Sequence, residues 1–137
     1  MKKFIFIFFI PYIMLGQVDV PAEHWINDSN FEKKINEKHA FGEDNHKSIV
    51  VEFWASFNSS NCLEEWDKIK DAIYYRVDVA TAASAKKKYK VRMVPTIIIF
   101  KDGIREKTFK AGLDLLLPVS IDELQSSINE INKAGQF

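Results

Sequence analysis

Two short apolar runs constrain this chain more than any other feature. Ile97-Ile98-Ile99-Phe100 is continuously apolar, and Ile49-Val50-Val51-Glu52-Phe53-Trp54 is nearly so. A strand with one wet face alternates apolar and polar residues, whereas an unbroken run needs cover on both faces. Such strands belong in a sheet sandwiched between helices, and the chain carries helical patterns between its strand patterns. At 137 residues it fits one domain of that kind, and no repeat or flexible linker divides it.

The remaining elements follow from caps and periodicity. Asn27-Asp28-Ser29 supplies capping side chains ahead of Phe31 and Ile35, which predicts an amphipathic helix over residues 29–38. Residues 42–46 form a polar loop. Ser59-Ser60-Asn61, with Glu64 three residues after Asn61, predicts the start of a second helix. Its apolar face would be Leu63, Trp66, Ile69 and Ile73. A short strand is expected at 75–79 and a third helix at 81–89. Asp102-Gly103 is a tight-turn signal joining the 97–100 strand to a partner at 104–110. Ser120-Ile121-Asp122-Glu123 is a capping box that opens a last helix bearing Ile121, Leu124, Ile128 and Ile131.

The first residues stand apart. Met1-Lys2-Lys3 is basic, residues 4–15 are almost wholly apolar, and Gly16 closes the run. This order predicts a secretory signal over 1–16, with an uncleaved anchor as the rival, and a domain over 17–137. The run is short for a membrane span and Pro11 interrupts it. The expected location is the bacterial periplasm or cell envelope, with membrane contact only if the segment is retained. There, a single cysteine would meet an oxidising compartment.

Composition excludes several function classes. Nineteen basic residues balance nineteen acidic ones, so no global field draws in nucleic acid. One cysteine excludes an intramolecular disulfide and a multi-thiolate zinc site. His24, His39 and His46 share no ligand spacing, so neither a metal nor a cofactor is expected. Lys86-Lys87-Lys88-Tyr89-Lys90 reads first as a solvated helix face and second as contact for an anionic partner. Trp25, Trp54 and Trp66 are expected in the core.

Four strings in order resemble the thioredoxin family over residues 24–132. Val50-Val51-Glu52-Phe53-Trp54-Ala55-Ser56-Phe57 looks like its strand entering the active site. Arg92-Met93-Val94-Pro95-Thr96 looks like its cis-proline loop, Lys101-Asp102-Gly103 like its hairpin, and Gly112 like the glycine closing its last strand. The resemblance implies a three-layer α/β/α fold with a mixed central sheet. It also implies a cis bond at Pro95, with Val94, Pro95 and Thr96 as one wall of a groove for an extended peptide. Phe57 stands where relatives place an aromatic residue near that groove, and Leu113 to Val119 is an apolar insertion relative to short members.

The chain departs from the family at the chemistry. The motif Trp-Cys-x-x-Cys uses a first cysteine at a helix N-terminus, where exposed amides favour the thiolate, and a second to resolve the mixed disulfide. Without a gap, Asn58 and Asn61 occupy both cysteine positions, and an amide cannot exchange with a disulfide. Two-cysteine reductase chemistry is excluded for this chain acting alone. Cys62 lies one residue beyond the resolving position, or becomes the second member of Ser59-x-x-Cys62 if one residue is inserted. It is either a partly buried thiol without chemistry or a single reactive thiol. Glu52 takes the family's buried acid position and Arg76 that of its basic neighbour. Arginine does not release its proton, so the expected pair is structural rather than a proton shuttle. The leading expectation is an exported binding or assembly module for a protein or extended peptide, contacted by Phe57, Asn58, Val94, Pro95 and Thr96. The alternatives are a single-thiol oxidoreductase using Cys62 and a structural subunit of an envelope complex.

Overall fold

The computed structural model describes residues 20–37 and 47–134. The predicted signal segment, the 42–46 loop, His39 and His46 lie outside them. The described chain runs β1 (Trp25–Ile26), α1 (Phe31–Ile35), β2 (Ser48–Trp54), β3 (Ala72–Asp78), α2 (Ala83–Lys88), β4 (Thr96–Lys101), β5 (Ile104–Lys110) and α3 (Ile121–Ala134). The five strands form one sheet in the order β1-β3-β2-β4-β5. β2 pairs parallel with β3 and antiparallel with β4, so the sheet is mixed as expected.

Both faces of that sheet are covered, which explains the unbroken apolar runs. On one face, Phe31 and Ile35 of α1, with Ala85 of α2 and Tyr89, pack over Val51, Phe53, Val77, Ile98 and Phe100. On the other, Leu124 and Ile128 of α3 pack over Val50, Tyr74, Ile97, Ile99 and Phe109. The hairpin turns at Asp102 and Gly103, both with positive φ. Gly103 suits the turn because φ 81° is a backbone conformation that side chains disfavour; an added Cβ would also displace the end of the Asn36 side chain. At α3, Ser120 Oγ accepts from the Glu123 N–H at 3.1 Å, one half of the predicted capping box.

The second predicted helix does not form. Between β2 and β3 the chain makes two short 3-10 segments, Ser56–Asn61 and Trp66–Lys68, and Ile73 belongs to β3. Backbone groups along this stretch bond instead to side chains of other elements. Leu63 gives its N–H to Glu52 and its carbonyl to Arg76. Lys70 gives both its N–H and its carbonyl to the Gln125 side chain. Leu63, Trp66 and Ile69 still pack on the α3 face, so their periodicity reports burial correctly and conformation wrongly. Smaller differences lie at the ends of elements: α1 and α2 are shorter than predicted, β3 begins earlier, and the two-residue β1 carried no clear signal. Trp25, Trp54 and Trp66 are half-buried rather than central.

Candidate functional site

The site lies where β2 ends and the chain turns beside the loop preceding β4. After Ala55 the backbone folds into a 3-10 turn, kinked at Asn58 (φ −123°, ψ 29°). The Val94–Pro95 peptide bond is cis. The loop around it is held by Thr96 Oγ1 donating to the Met93 carbonyl at 2.6 Å and by the Ala111 N–H donating to the Pro95 carbonyl at 3.1 Å. Val94, Pro95 and Thr96 are all buried.

Asn58 ties three segments together. Its Nδ2 donates to the Val94 carbonyl at 3.0 Å and to the Leu115 carbonyl at 2.8 Å. Its Oδ1 accepts from Asn61 Nδ2 at 2.7 Å. Two carbonyl acceptors on one side fix the orientation of the amide, and both of its N–H donors are used. The second carbonyl comes from the insertion after β5, where Leu115 adopts φ 58°. Asp114 supports that bend by accepting from the Leu116 N–H at 3.1 Å. Phe57, next to Asn58, is 75% exposed, and Leu113 and Leu116 of the insertion are 90% and 52% exposed.

Behind this turn lies a closed polar cluster. Glu52 faces Arg76 across the parallel β2–β3 pair and is 0% exposed. Its Oε1 accepts from the Tyr74 hydroxyl and, at 3.3 Å, from Arg76 Nη2. Its Oε2 accepts from the Leu63 N–H at 2.9 Å. Arg76 also donates from Nε to the Tyr74 oxygen at 2.8 Å and from Nη2 to the Leu63 carbonyl at 3.1 Å, beneath the Trp25 ring. Burial pushes the Glu52 carboxyl above its ordinary range, with Arg76, Tyr74 and the Leu63 N–H pulling against it. Tyr74 is pushed well above the usual phenol value, first by burial and then by the Glu52 charge. The expected Glu52–Arg76 pair is present, tied to Tyr74 and Leu63, and Arg76 reaches Cys62 as well.

Cys62 follows the 3-10 turn in extended backbone (φ −78°, ψ 170°), not in the first turn of an α-helix. The amide dipoles that would favour a thiolate are missing from that position. The side chain is half-buried in a cleft of about 330 Å³, with Asn61, Glu64 and Leu117 among its walls. Burial pushes the thiol above its ordinary value, and Arg76 pulls it down less than burial raises it. Glu52 and Glu64 push it further in the same direction.

The thioredoxin family profile matches residues 22–120. The chain belongs to the thioredoxin family. It is 27% identical over 67 residues to a thioredoxin of Mycoplasma genitalium, covering 44% of this chain and 66% of that relative, just under two thirds of its length. Among solved structures, a mutant thioredoxin from Halobacterium salinarum superposes with a TM-score of 0.58 at 19% identity, covering 79% of this chain and 88% of the other. A Schistosoma mansoni thioredoxin gives 0.57 at 22% identity, with 77% and 92% covered. These likenesses establish the thioredoxin-like fold. Within that family the chain has one cysteine in its whole sequence, so it holds no Cys-x-x-Cys pair.

Of the residues singled out in the sequence, Asn58 meets Val94 directly and Glu52 meets Arg76. His24 has its Nδ1 2.7 Å from the Tyr74 carbonyl and its ring against Trp66, and among the described residues it belongs to no group of potential metal ligands. Sequence reasoning missed Tyr74 and Leu115. Tyr74 was within reach, because a residue two before Arg76 on a strand shares its face and therefore faces Glu52. Leu115 contributes only a backbone carbonyl, which leaves no trace in residue type.

Proposed function

We propose that this protein is a binding module of the thioredoxin family, working outside the cytoplasm without disulfide catalysis. One observation carries the reading: the Asn58 side chain, at the position of the family's attacking cysteine, is saturated by the Val94 and Leu115 carbonyls. The position that would hold a nucleophile instead locks the turn to the cis-proline loop and to the insertion. Around that lock, Phe57, Leu113 and Leu116 remain exposed at one end of the sheet, suited to apolar contact with a protein partner. The expected backbone contact at Val94 is narrowed accordingly, since its carbonyl already has a donor. A location in the bacterial envelope is supported by the basic and then apolar order of residues 1–16.

The test has two parts. In an insulin reduction assay with dithiothreitol, the domain should add nothing to the rate of the reductant alone. Robust turnover lost in Cys62→Ser would overturn the reading in favour of single-thiol chemistry. A photo-reactive residue in place of Phe57 should yield a discrete adduct in the native host, diminished by Leu113→Ser. Absence of any adduct would remove the binding role.

A further inference from the structure

The molecule has no net charge, yet it concentrates positive charge beside the cis-proline loop. A cleft of about 450 Å³ between the end of α2 and the following loop is lined by Lys86, Lys87, Lys90 and Arg92 over an apolar floor that includes Val91. A second cleft, of about 320 Å³, shares Lys90 and Arg92 and continues to Met93, Lys110 and Ala111. No carboxylate lines either cleft. Among the described residues, none of these five cations is held in an ion pair; the neighbouring Lys88 turns instead to Glu32 at 3.0 Å. Lys90 ends α2 with φ 56°, which turns the chain back towards Arg92 and places the two in both clefts.

From this arrangement we infer that the two clefts form one basic channel that binds an acidic, extended segment of a partner protein. The channel runs from α2 to Met93 and Ala111, which flank the cis-proline loop, so a segment lying along it would reach the Asn58 lock. Unpaired cations in a concave, carboxylate-free setting reinforce one another, and their attraction for an anion is not offset locally. The lining has no aromatic side chain on which a nucleic-acid base could stack, and the molecule as a whole offers no positive field to a polyanion. The large exposed apolar residues, Phe57, Ile104, Leu113 and Leu116, are not among the channel walls. An extended chain of Asp and Glu residues with small apolar spacers suits cations over an apolar floor. The inference gives the partner a chemistry and rests on the binding-module reading.

The probe is a fluorescein-labelled Glu/Ala peptide titrated into the mature domain at low salt and followed by polarisation. Saturable binding is expected, weakening steeply as salt screens the charges. Lys86→Glu/Arg92→Glu should weaken it roughly tenfold or more, and Lys133→Glu, an exposed charge reversal on α3 across the sheet, should leave it within about twofold. A flat titration at low salt, or binding indifferent to the double charge reversal, would overturn the inference. Tighter binding of polyphosphate or of phosphatidylglycerol vesicles would do the same by assigning the channel to another anion. The insulin assay remains independent, so failure here is separable from failure of the non-catalytic reading.

Discussion

Glu52 and Asn58 sit at opposite ends of the same short stretch, and both hold three hydrogen bonds, but they do so in different settings. Glu52 is a buried charge fixed between two central strands and answered by a buried Arg76. Asn58 is a neutral amide on a half-buried turn, tying three loops by hydrogen bonds to backbone carbonyls. Removing a partner from the first strands a charge in the core. Removing the second leaves two carbonyls without that donor at a part-buried site. The buried pair is thus the costlier of the two to dismantle, and the Asn58 tie the cheaper.

The largest effect should come from breaking the buried pair on one side. Arg76→Met leaves Glu52 without its cation, and we expect a loss of about 3–5 kcal/mol in urea unfolding. A loss no greater than that of Asn58→Ala would erase the contrast. pH sharpens the same point. The folded Glu52 holds its proton more tightly than an exposed carboxyl, so its contribution to stability is fully present below the unfolded value, near 4.5, and is lost as pH rises through the raised folded value. The stability difference between wild type and Glu52→Gln should therefore shift against the wild type over that interval and level off above it. A difference that is constant with pH would mean that Glu52 has an ordinary carboxyl in the fold.

Asn58→Ala should cost about 1–2 kcal/mol, the scale of hydrogen bonds lost at a partly solvated site. Its more telling effect is local. Without the Asn58 donor, residues 112–119 should exchange amide hydrogens faster while the strands do not, as seen by hydrogen-exchange mass spectrometry. Uniform acceleration across the sheet would place Asn58 in the same class as Glu52.

Much of this contrast was legible in the sequence. The unbroken runs named the two buried strands, Asp102-Gly103 named the hairpin, and the resemblance of Glu52 and Arg76 to the family's buried acid and its basic neighbour foretold their pairing. What escaped was the segment between β2 and β3. Leu63, Trp66 and Ile69 repeat at a spacing common to a helix and to successive tight turns, and periodicity alone does not separate them. Tertiary hydrogen bonds that no local propensity encodes hold the stretch in its observed form: the buried Glu52 and Arg76 bond both backbone groups of Leu63.

Loss of that helix sets the smallest effect, which is also the closest test of the site's chemistry. In the family a helix start supplies the amides that stabilise a thiolate; here Cys62 follows a 3-10 turn in extended backbone, and burial raises its thiol further. At neutral pH the side chain should be a protonated thiol in a cleft. Iodoacetamide should accordingly alkylate it more slowly in the folded domain than in urea, with reactivity rising only at a pH above that of an ordinary thiol. Cys62→Ser should change unfolding free energy by less than about 1 kcal/mol, because a half-buried sulfur gives up little packing. Fast alkylation at pH 7 would mean that the turn activates the thiol by itself, and Asn58 and Cys62 would then be two parts of one reactive site rather than a lock and its bystander.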